Sequence, residues 1–337
     1  MSRTRARVTG IGTHVPPRVV TNDDLAQWMD TSDEWITQRT GIKERHWVDP
    51  GTTTSDLALI AAEAALGDAG LDAESLDMVL LATLSPDHEF PGTACFLQEK
   101  LGLPGVPAID VRQQCTGFIY AMSIADQFIR TGFAERILVV GAEIHSKGLD
   151  LSTDGRDVAV LFGDGAGAVV VEAAEVSDPS ADRHVMSTHL HADGRGAREL
   201  WVPAPGMAFE RFMSTDLVEQ GLHYPAMNGR AVFVNAVKHM GEAVVEATEA
   251  NGVGVGDVDL FMFHQANLRI NEAVTERLSL APEKVFHTIQ RFGNTTAATI
   301  PLGLGEAREA GLLREGTLVC AAAFGSGFTW GSMLIRW

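Results

Sequence analysis

The stretch DAGLDAESLDMVLLA (residues 68–82) lies without a gap over ANGVGVGDVDLFMFH (250–264), at an offset of 182 (250 − 68 = 182). Gly70 falls on Gly252 and Asp77 on Asp259. Each copy reads as the end of an amphipathic helix, a glycine stop, a short loop, an aspartate and a buried strand. Two further pairs extend the likeness. ILVVGAE (137–143) lies over TLVCAAA (317–323) at 180 (317 − 137 = 180), and FGDGAGAVVVE (162–172) over FGSGFTWGSMLIRW (324–337) at 162 (324 − 162 = 162). The smaller last offset implies extra residues late in the first copy or in its link. Such self-similarity predicts two related halves. Strands that alternate with helices and finish in Gly-rich turns predict α/β units with largely parallel sheets. The polar, turn-rich EVSDPSADRH (175–184) sets the expected boundary, giving halves 1–178 and 179–337. Residues 203–228 have no clean period and read as a long loop or lid.

The chain has 337 residues, 45% apolar and 21% charged, an ordinary globular composition long enough for two units. Its formal net charge of −18 argues against a whole-surface role on nucleic acid or anionic lipid. The basic amino terminus, MSRTRARVTGIGTHVPP, lacks the apolar core of a signal peptide. No run approaches the ~18 apolar residues that span a bilayer. Three cysteines make no disulfide framework, so a cytoplasmic protein with reduced thiols is expected.

DVRQQCTGFIYAM (110–122) places Cys115 where the strand VPAIDV (106–111) hands over to the apolar helix CTGFIYAMSIADQFI. A thiol at a helix start meets unpaired N–H groups and the positive dipole end, which favour thiolate. The alternative is a buried structural cysteine. Cys95 and Cys320, in GTACFLQEKL and LVCAAA, read as core. His264 closes the strand VDLFMF and faces the carboxyl edge of a sheet, where α/β proteins place their sites. Asn294, in GNTTAATIP, reads either as an N-cap or as the counterpart of Cys115 in the second half (294 − 115 = 179). In DTSDEWITQRTG, Thr31 and Glu34 form a capping-box pattern, and Trp35 and Arg39 share a helical face suited to a flat, anionic ligand such as an adenine nucleotide.

The order Cys, His, Asn also occurs in papain-like cysteine hydrolases, but QQCTGF lacks their flanking signature and the doubled α/β pattern is foreign to them. A non-catalytic scaffold descended from an enzyme is the other alternative; all three polar positions are intact. Six motifs in order decide more. MDTSDEWITQRTGIKERH (29–46), CTGFIYAM, FGDGAGA, HQANLRI, GNTTAATIP and FGSGFTWGS together resemble β-ketoacyl-acyl-carrier-protein synthase III, of the thiolase-fold condensing enzymes, from about Thr9 to Trp337.

The resemblance implies a five-layered αβαβα fold, a homodimer, coenzyme A thioesters and acyl-carrier protein as partners, no resident cofactor or metal, and initiation of fatty acid synthesis. A secondary pathway with another primer or acceptor is the alternative. By position, Cys115 is the acylated nucleophile, and His264 and Asn294 steer decarboxylation. The N–H groups of Cys115 and Ser326 form the oxyanion site; Ser326 replaces an expected Gly. Trp35, Arg39 and Arg156 match coenzyme A contacts, and Asn267 and Phe324 lie in site motifs. Phe90 matches a residue that closes the partner subunit's acyl pocket, implying short primers. Val234 and Glu276 stand where basic carrier-docking residues are expected; Arg230, Lys238, Arg269 and Arg277 are the candidates to compensate.

Overall fold

The structure, a computed structural model, describes residues 3–337. The first half contains strand β1 (Arg3–His14), helices α1 (Asp33–Thr40) and α2 (Thr54–Ala69), β2 (Met78–Ala82), α3 (Thr93–Lys100), β3 (Ala108–Val111), α4 (Gly117–Arg130), β4 (Arg136–Glu143) and β5 (Gly165–Val176). The second contains β6 (His184–Ala192), α5 (Gly229–Ala250), β7 (Leu260–Phe263), α6 (Leu268–Arg277), α7 (Thr299–Glu309), β8 (Leu318–Gly325) and β9 (Thr329–Arg336). The sheet orders are β1-β5-β4-β2-β3 and β6-β9-β8-β7. They are the same order, with β3 represented in the second sheet by a lone parallel bridge between Phe261 and Val285.

The ladder registers correct two of the offsets. Met78 pairs with Ile137 in one sheet and Leu260 with Val319 in the other, so β4 maps onto β8 at 182 (319 − 137 = 182), not 180. Ile137 pairs with Val171, and Val319 with Ile335, so β5 maps onto β9 at 164 (335 − 171 = 164), not 162. A two-residue slip leaves every strand side chain on its own face, so hydrophobic alternation cannot detect it. The drop of 18 (182 − 164 = 18) is one insertion: residues 144–164 join β4 to β5, where 326–328 join β8 to β9. The expectation of largely parallel sheets also needs correction. Only β2 with β3, β2 with β4 and β7 with β8 are parallel; β5 and β9 run back beside their predecessors, and β1 and β6 are antiparallel to them. The parallel neighbours are those linked through helical crossovers, as chain geometry demands.

Alternation along each strand sorts the core into layers. Val79, Leu81, Leu138 and Val140 face α2 through Leu57, Ala58, Ala61 and Ala65. Met78, Leu80, Ile137 and Val139 face the opposite way, onto α4 and α7, which also receive Leu260, Met262, Val319 and Ala321 from the second sheet. Phe261, Phe263, Leu318 and Cys320 face outward onto α5 and α6. Helix, sheet, helix pair, sheet, helix gives five layers, as expected. A fourth cluster, with Ile36, Ile42, Trp47, Leu161 and Phe162, seats α1 against the 144–164 insertion. Among the described residues no helix is long and apolar enough to cross a membrane.

The layering predicts unequal costs of truncation. Leu80 is fully buried in the central layer, and Ile60 on α2 is 43% exposed. Leu80→Ala is expected to destabilise by about 2–5 kcal/mol, and Ile60→Ala by under about 0.5 kcal/mol. Chemical denaturation of both variants at one protein concentration checks this; equal costs contradict the layer assignment.

Candidate active site

Cys115 sits in a one-turn 3-10 helix, Gln114–Thr116, directly before α4. Its leading residue, Gln114, has a left-handed φ of 44°, a conformation non-glycine residues hold only when their surroundings impose it. The second half repeats this turn as Thr296–Ala298 before α7, with Thr296 at φ 50°. At the common offset (296 − 114 = 182) the counterpart of Cys115 is Ala297, not Asn294. Polar character at two helix starts misled the sequence comparison by three residues.

Glycine lets the second half close on the nucleophile. A Cβ at Gly325 would lie 2.6 Å from the Cys115 Cβ and 3.0 Å from its Sγ. The backbone N–H groups of Ser326 and of Cys115 itself favour the thiolate at the sulfur, and the Ser326 hydroxyl turns away to the Leu200 carbonyl. The serine thus replaces glycine without losing the backbone donor. Two influences meet at the thiol. Burial, with the Glu143 carboxylate adding, pushes it up to about 12, against the pull of the two N–H groups. The sequence reading named only the thiolate-favouring side.

His264 follows β7; its N–H donates to the Ala322 carbonyl at 2.9 Å. Nδ1 lies 2.7 Å from the Thr299 hydroxyl on α7, and Nε2 is buried with no hydrogen-bond partner. Burial pulls the imidazole down to about 3, so it is neutral at working pH. Asn294 is fixed by the insertion: its N–H donates to the Leu161 carbonyl at 2.8 Å, and its own carbonyl accepts the Gly163 N–H at 3.1 Å. Its Oδ1 accepts the Thr296 N–H at 2.9 Å, but the residue at the cap position of the 3-10 turn is Thr295, whose side chain does not cap it, so the N-cap reading fails and the side-chain NH2 is left as the free donor. Cys115, His264 and Asn294 all line one cavity of about 290 Å³.

Trp35, Arg39, Asn267 and Phe324 line the same cavity. The Arg39 guanidinium stands 4.2 Å and that of Arg156 5.1 Å from the Trp35 ring centre. Two cations against one indole suit a planar, negatively charged ligand. The helix cap behind them differs from expectation: Ser32, not Thr31, accepts the Trp35 N–H, at 3.1 Å, and no capping box forms. Asn267 caps α6 through the Arg269 N–H and donates to the Arg39 carbonyl at 3.0 Å, tying α1 to the second half. Residues 203–228 are pinned at their neck, where Leu200–Trp201 pairs with Ala226–Met227, and hold a short helix, Thr215–Glu219. Leu200 and Met227 line the cavity, so the expected lid is rooted at the site.

Other expectations fare unevenly. Phe90 is 85% exposed and outside the cavity of its own chain. Arg230, Lys238 and Arg269 are exposed on α5 and α6. Arg277 lies across Gly241 beside Glu242, Glu246 and Glu249, apart from the Asn267 end of α6. Cys95 is exposed and not core, because Thr93, Ala94 and Leu97 take the inner face of α3. Cys320 is buried as expected. Sequence reasoning missed the α5 wall, Gly229, Val232, Phe233, Ala236 and Met240, although its i, i+3, i+4, i+7 spacing was legible. It also missed Glu143, fully buried and accepting from Thr83, Leu84 and Ser85. A lone acid ending the apolar run ILVVGA was the available signal.

The raised thiol predicts the pH course of alkylation. Only the thiolate reacts, so iodoacetamide labelling of Cys115 in the free protein is expected to keep rising from about pH 7 to about pH 10, read by peptide mass mapping. A plateau below about pH 8 contradicts it.

Comparison with known proteins agrees with this geometry. The family profile of 3-oxoacyl-[acyl-carrier-protein (ACP)] synthase III matches residues 109–194, and that of its C-terminal part matches 248–337. A β-ketoacyl-[acyl-carrier-protein] synthase III of Bradyrhizobium diazoefficiens is 47% identical over 338 aligned positions, covering all of both chains. One from Caldanaerobacter subterraneus is 44% identical over 98% of each. The crystal structure of the Aquifex aeolicus 3-oxoacyl-[acyl-carrier-protein] synthase III superposes with a TM-score of 0.89 at 42% identity, covering 98% of this chain and all of that one. The chain belongs to the β-ketoacyl-[acyl-carrier-protein] synthase III family of thiolase-fold condensing enzymes.

Proposed function

We propose that this protein is an acyltransferase that condenses an acyl-CoA primer with malonyl-acyl-carrier protein, releasing CO₂ and starting a fatty acid chain. The single observation that carries the reading is the convergence of Cys115, His264 and Asn294 on one cavity that Trp35 and Arg39 also line, with the Arg39 and Arg156 guanidiniums both against the Trp35 ring. The cations and indole receive the nucleotide end of coenzyme A. The thioester reaches Cys115, its sulfur attacks the carbonyl carbon, and the oxyanion accepts the N–H groups of Cys115 and Ser326. The carbon–sulfur bond to coenzyme A breaks, and the Cys115 proton ends on the departing thiol.

A malonyl thioester then takes the vacated place. Its carboxylate leaves as CO₂ and the bonding pair moves onto the thioester as an enolate, so no base is required. Neutral His264 and the Asn294 NH2 donate to the enolate oxygen. The enolate carbon attacks the acyl group on Cys115, the new carbon–carbon bond forms, and the Cys115 thiolate departs and regains a proton. These steps use only side chains and backbone amides, and we propose no resident cofactor or metal. The reading includes a cytoplasmic homodimer, each chain of which is built of two pseudo-symmetric halves, 1–178 and 179–337. It includes carrier-protein docking at Arg230, Lys238 and Arg269, with Arg277 the weakest member beside its acidic neighbours.

Separate assays of the two half-reactions test it. His264→Ala and Asn294→Ala are each expected to slow decarboxylation of the malonyl thioester by about 10²–10³-fold and to leave acyl transfer from acyl-CoA nearly intact. Decarboxylation at the normal rate in either variant removes that residue from the mechanism.

Primer length forms the second test. An exposed Phe90 reaching the partner's cavity would wall it off, and each further methylene would forfeit about 0.8 kcal/mol of burial. Acetyl- to butyryl-CoA are expected to give the highest kcat/KM, with Phe90→Thr shifting the profile toward octanoyl- and lauroyl-CoA. A wild-type preference for lauroyl-CoA, or an unchanged profile in Phe90→Thr, excludes Phe90 as the gate.

A further inference from the structure

The two halves treat their equivalent turns differently. Glu143 ends β4 and pairs with Gly165, as Gly325 ends β8 and pairs with Thr329, so the two are counterparts at the common offset (325 − 143 = 182). At the first-half turn, Gly325 offers Cys115 backbone alone, and a Cβ there would collide with it. At the second-half turn the β4 end offers side chains. The N–H of Ala297, the counterpart of Cys115, favours the carboxylate form of Glu143. Two residues on, at the start of the 144–164 insertion, His145 places its Nε2 2.6 Å from the Thr296 hydroxyl.

Thr296 is the residue on which the Asn294 side chain rests. Its N–H donates to Asn294 Oδ1 at 2.9 Å. Its carbonyl accepts the Thr299 N–H, and the Thr299 hydroxyl at 3.0 Å. Those partners belong to the same short stretch, 294–299. The Thr296 hydroxyl instead reaches across to the first half. Thr296 is buried and keeps a left-handed φ of 50°, which a non-glycine residue holds only where its surroundings impose it.

His145 is built to impose it. Its N–H donates to Asp164 Oδ1 at 2.7 Å, and its ring centre lies 4.4 Å from that of Phe162, a residue of the cavity wall. Burial, with His264 adding, pulls the imidazole down to about 3, so the contact joins two uncharged groups. A neutral imidazole nitrogen and a hydroxyl make this bond with either one as donor. Without the imidazole the Thr296 hydroxyl would be buried and unpaired, a cost the turn escapes by moving. A moved turn carries the Thr296 N–H away from Asn294 Oδ1.

We propose that His145 is a positioning residue for decarboxylation: its side chain holds Thr296 in the left-handed turn, and the Thr296 N–H thereby aims the Asn294 amide into the cavity. The inference rests on the role proposed for Asn294, and the experiment separates the two. In the half-reaction assays, His145→Leu is expected to slow malonyl decarboxylation about 10²-fold, the usual loss when a reacting group is displaced, with acyl transfer to Cys115 little changed. His145→Gln, whose amide nitrogen can stand in for Nε2, is expected to recover most of the rate. Thr296→Val removes the same contact from the other side at nearly constant shape, and is expected to be as slow as His145→Leu. The double variant is expected within about twofold of either single one, because one contact cannot be lost twice. Losses that multiply in the double variant overturn the proposal. So does wild-type decarboxylation in His145→Leu, or slowing of both half-reactions alike. If His145→Leu does not fold, Thr296→Val decides alone, and a wild-type rate in it overturns the proposal. Normal decarboxylation in Asn294→Ala removes the parent reading and this inference together; loss there with none in His145→Leu removes this inference alone.

Discussion

The contact on which the site depends is the approach of the β8 terminus to Cys115. Gly325 leaves no room for a Cβ against the sulfur, and the Ser326 N–H favours a thiolate there. The nucleophile belongs to the first half, and its closest backbone donors belong to both halves. This is possible only because the two sheets share one central helix pair, α4 and α7. The two turns that start those helices then lie at the seam. Gly117 is part of the same fit, since a Cβ there would come within 3.0 Å of the Ala82 Cβ and 3.5 Å of the Ala297 Cβ. Pseudo-symmetry supplies the scaffold, and the departures from symmetry supply the chemistry. At the two equivalent turns one half carries a cysteine and the other an alanine.

Burial then sets the protonation states. His264 is held neutral, which suits a donor to an oxygen that gains charge during reaction, because a dry, fixed donor needs no reorganisation at that moment. The thiol pays the same desolvation and is pushed up to about 12. The nearby Glu143 carboxylate opposes ionisation of the thiol too. It is itself pushed up to about 7 by burial, against donors from Ser85, Leu84, Thr83 and Ala297. Those donors link the end of β4 to the loop after β2 and to the second helix turn. The carboxylate therefore ties the nucleophile's surroundings together at some cost in thiolate.

Much of this was legible in the sequence, for identifiable reasons. The 182 offset between residues 68–82 and 250–264 is real because a helix stop, a loop and a strand leave signals of different periods that align in only one way. The strand pairs at 180 and 162 were each two residues out, since a slip of two preserves the alternation that was being read. Cys115, His264 and Asn294 do meet in one cavity, yet the equivalence between Cys115 and Asn294 fails by three. Both are polar residues near helix starts, and residue type is a poorer ruler than backbone conformation. Ser32 displaced Thr31 as the cap of α1 because both can accept an N–H and only the fold decides which residue is extended there. The contacts of Thr299 and Thr296 could not be found at all, because their hydroxyls meet two imidazoles, His264 and His145, that arrive from elsewhere in the chain.

The central claim is that one cavity acts twice, first to load an acyl group on Cys115 and then to use it. Mass spectrometry of the wild-type protein in a single turnover tests this most directly. Acyl-CoA alone should add one acyl group to the peptide that contains Cys115. Adding malonyl-acyl-carrier protein should remove it and return the same isotopically labelled acyl group in the β-ketoacyl product. Product that forms without the acylated peptide ever appearing, or a label that resides on the exposed Cys95 instead, would contradict the account.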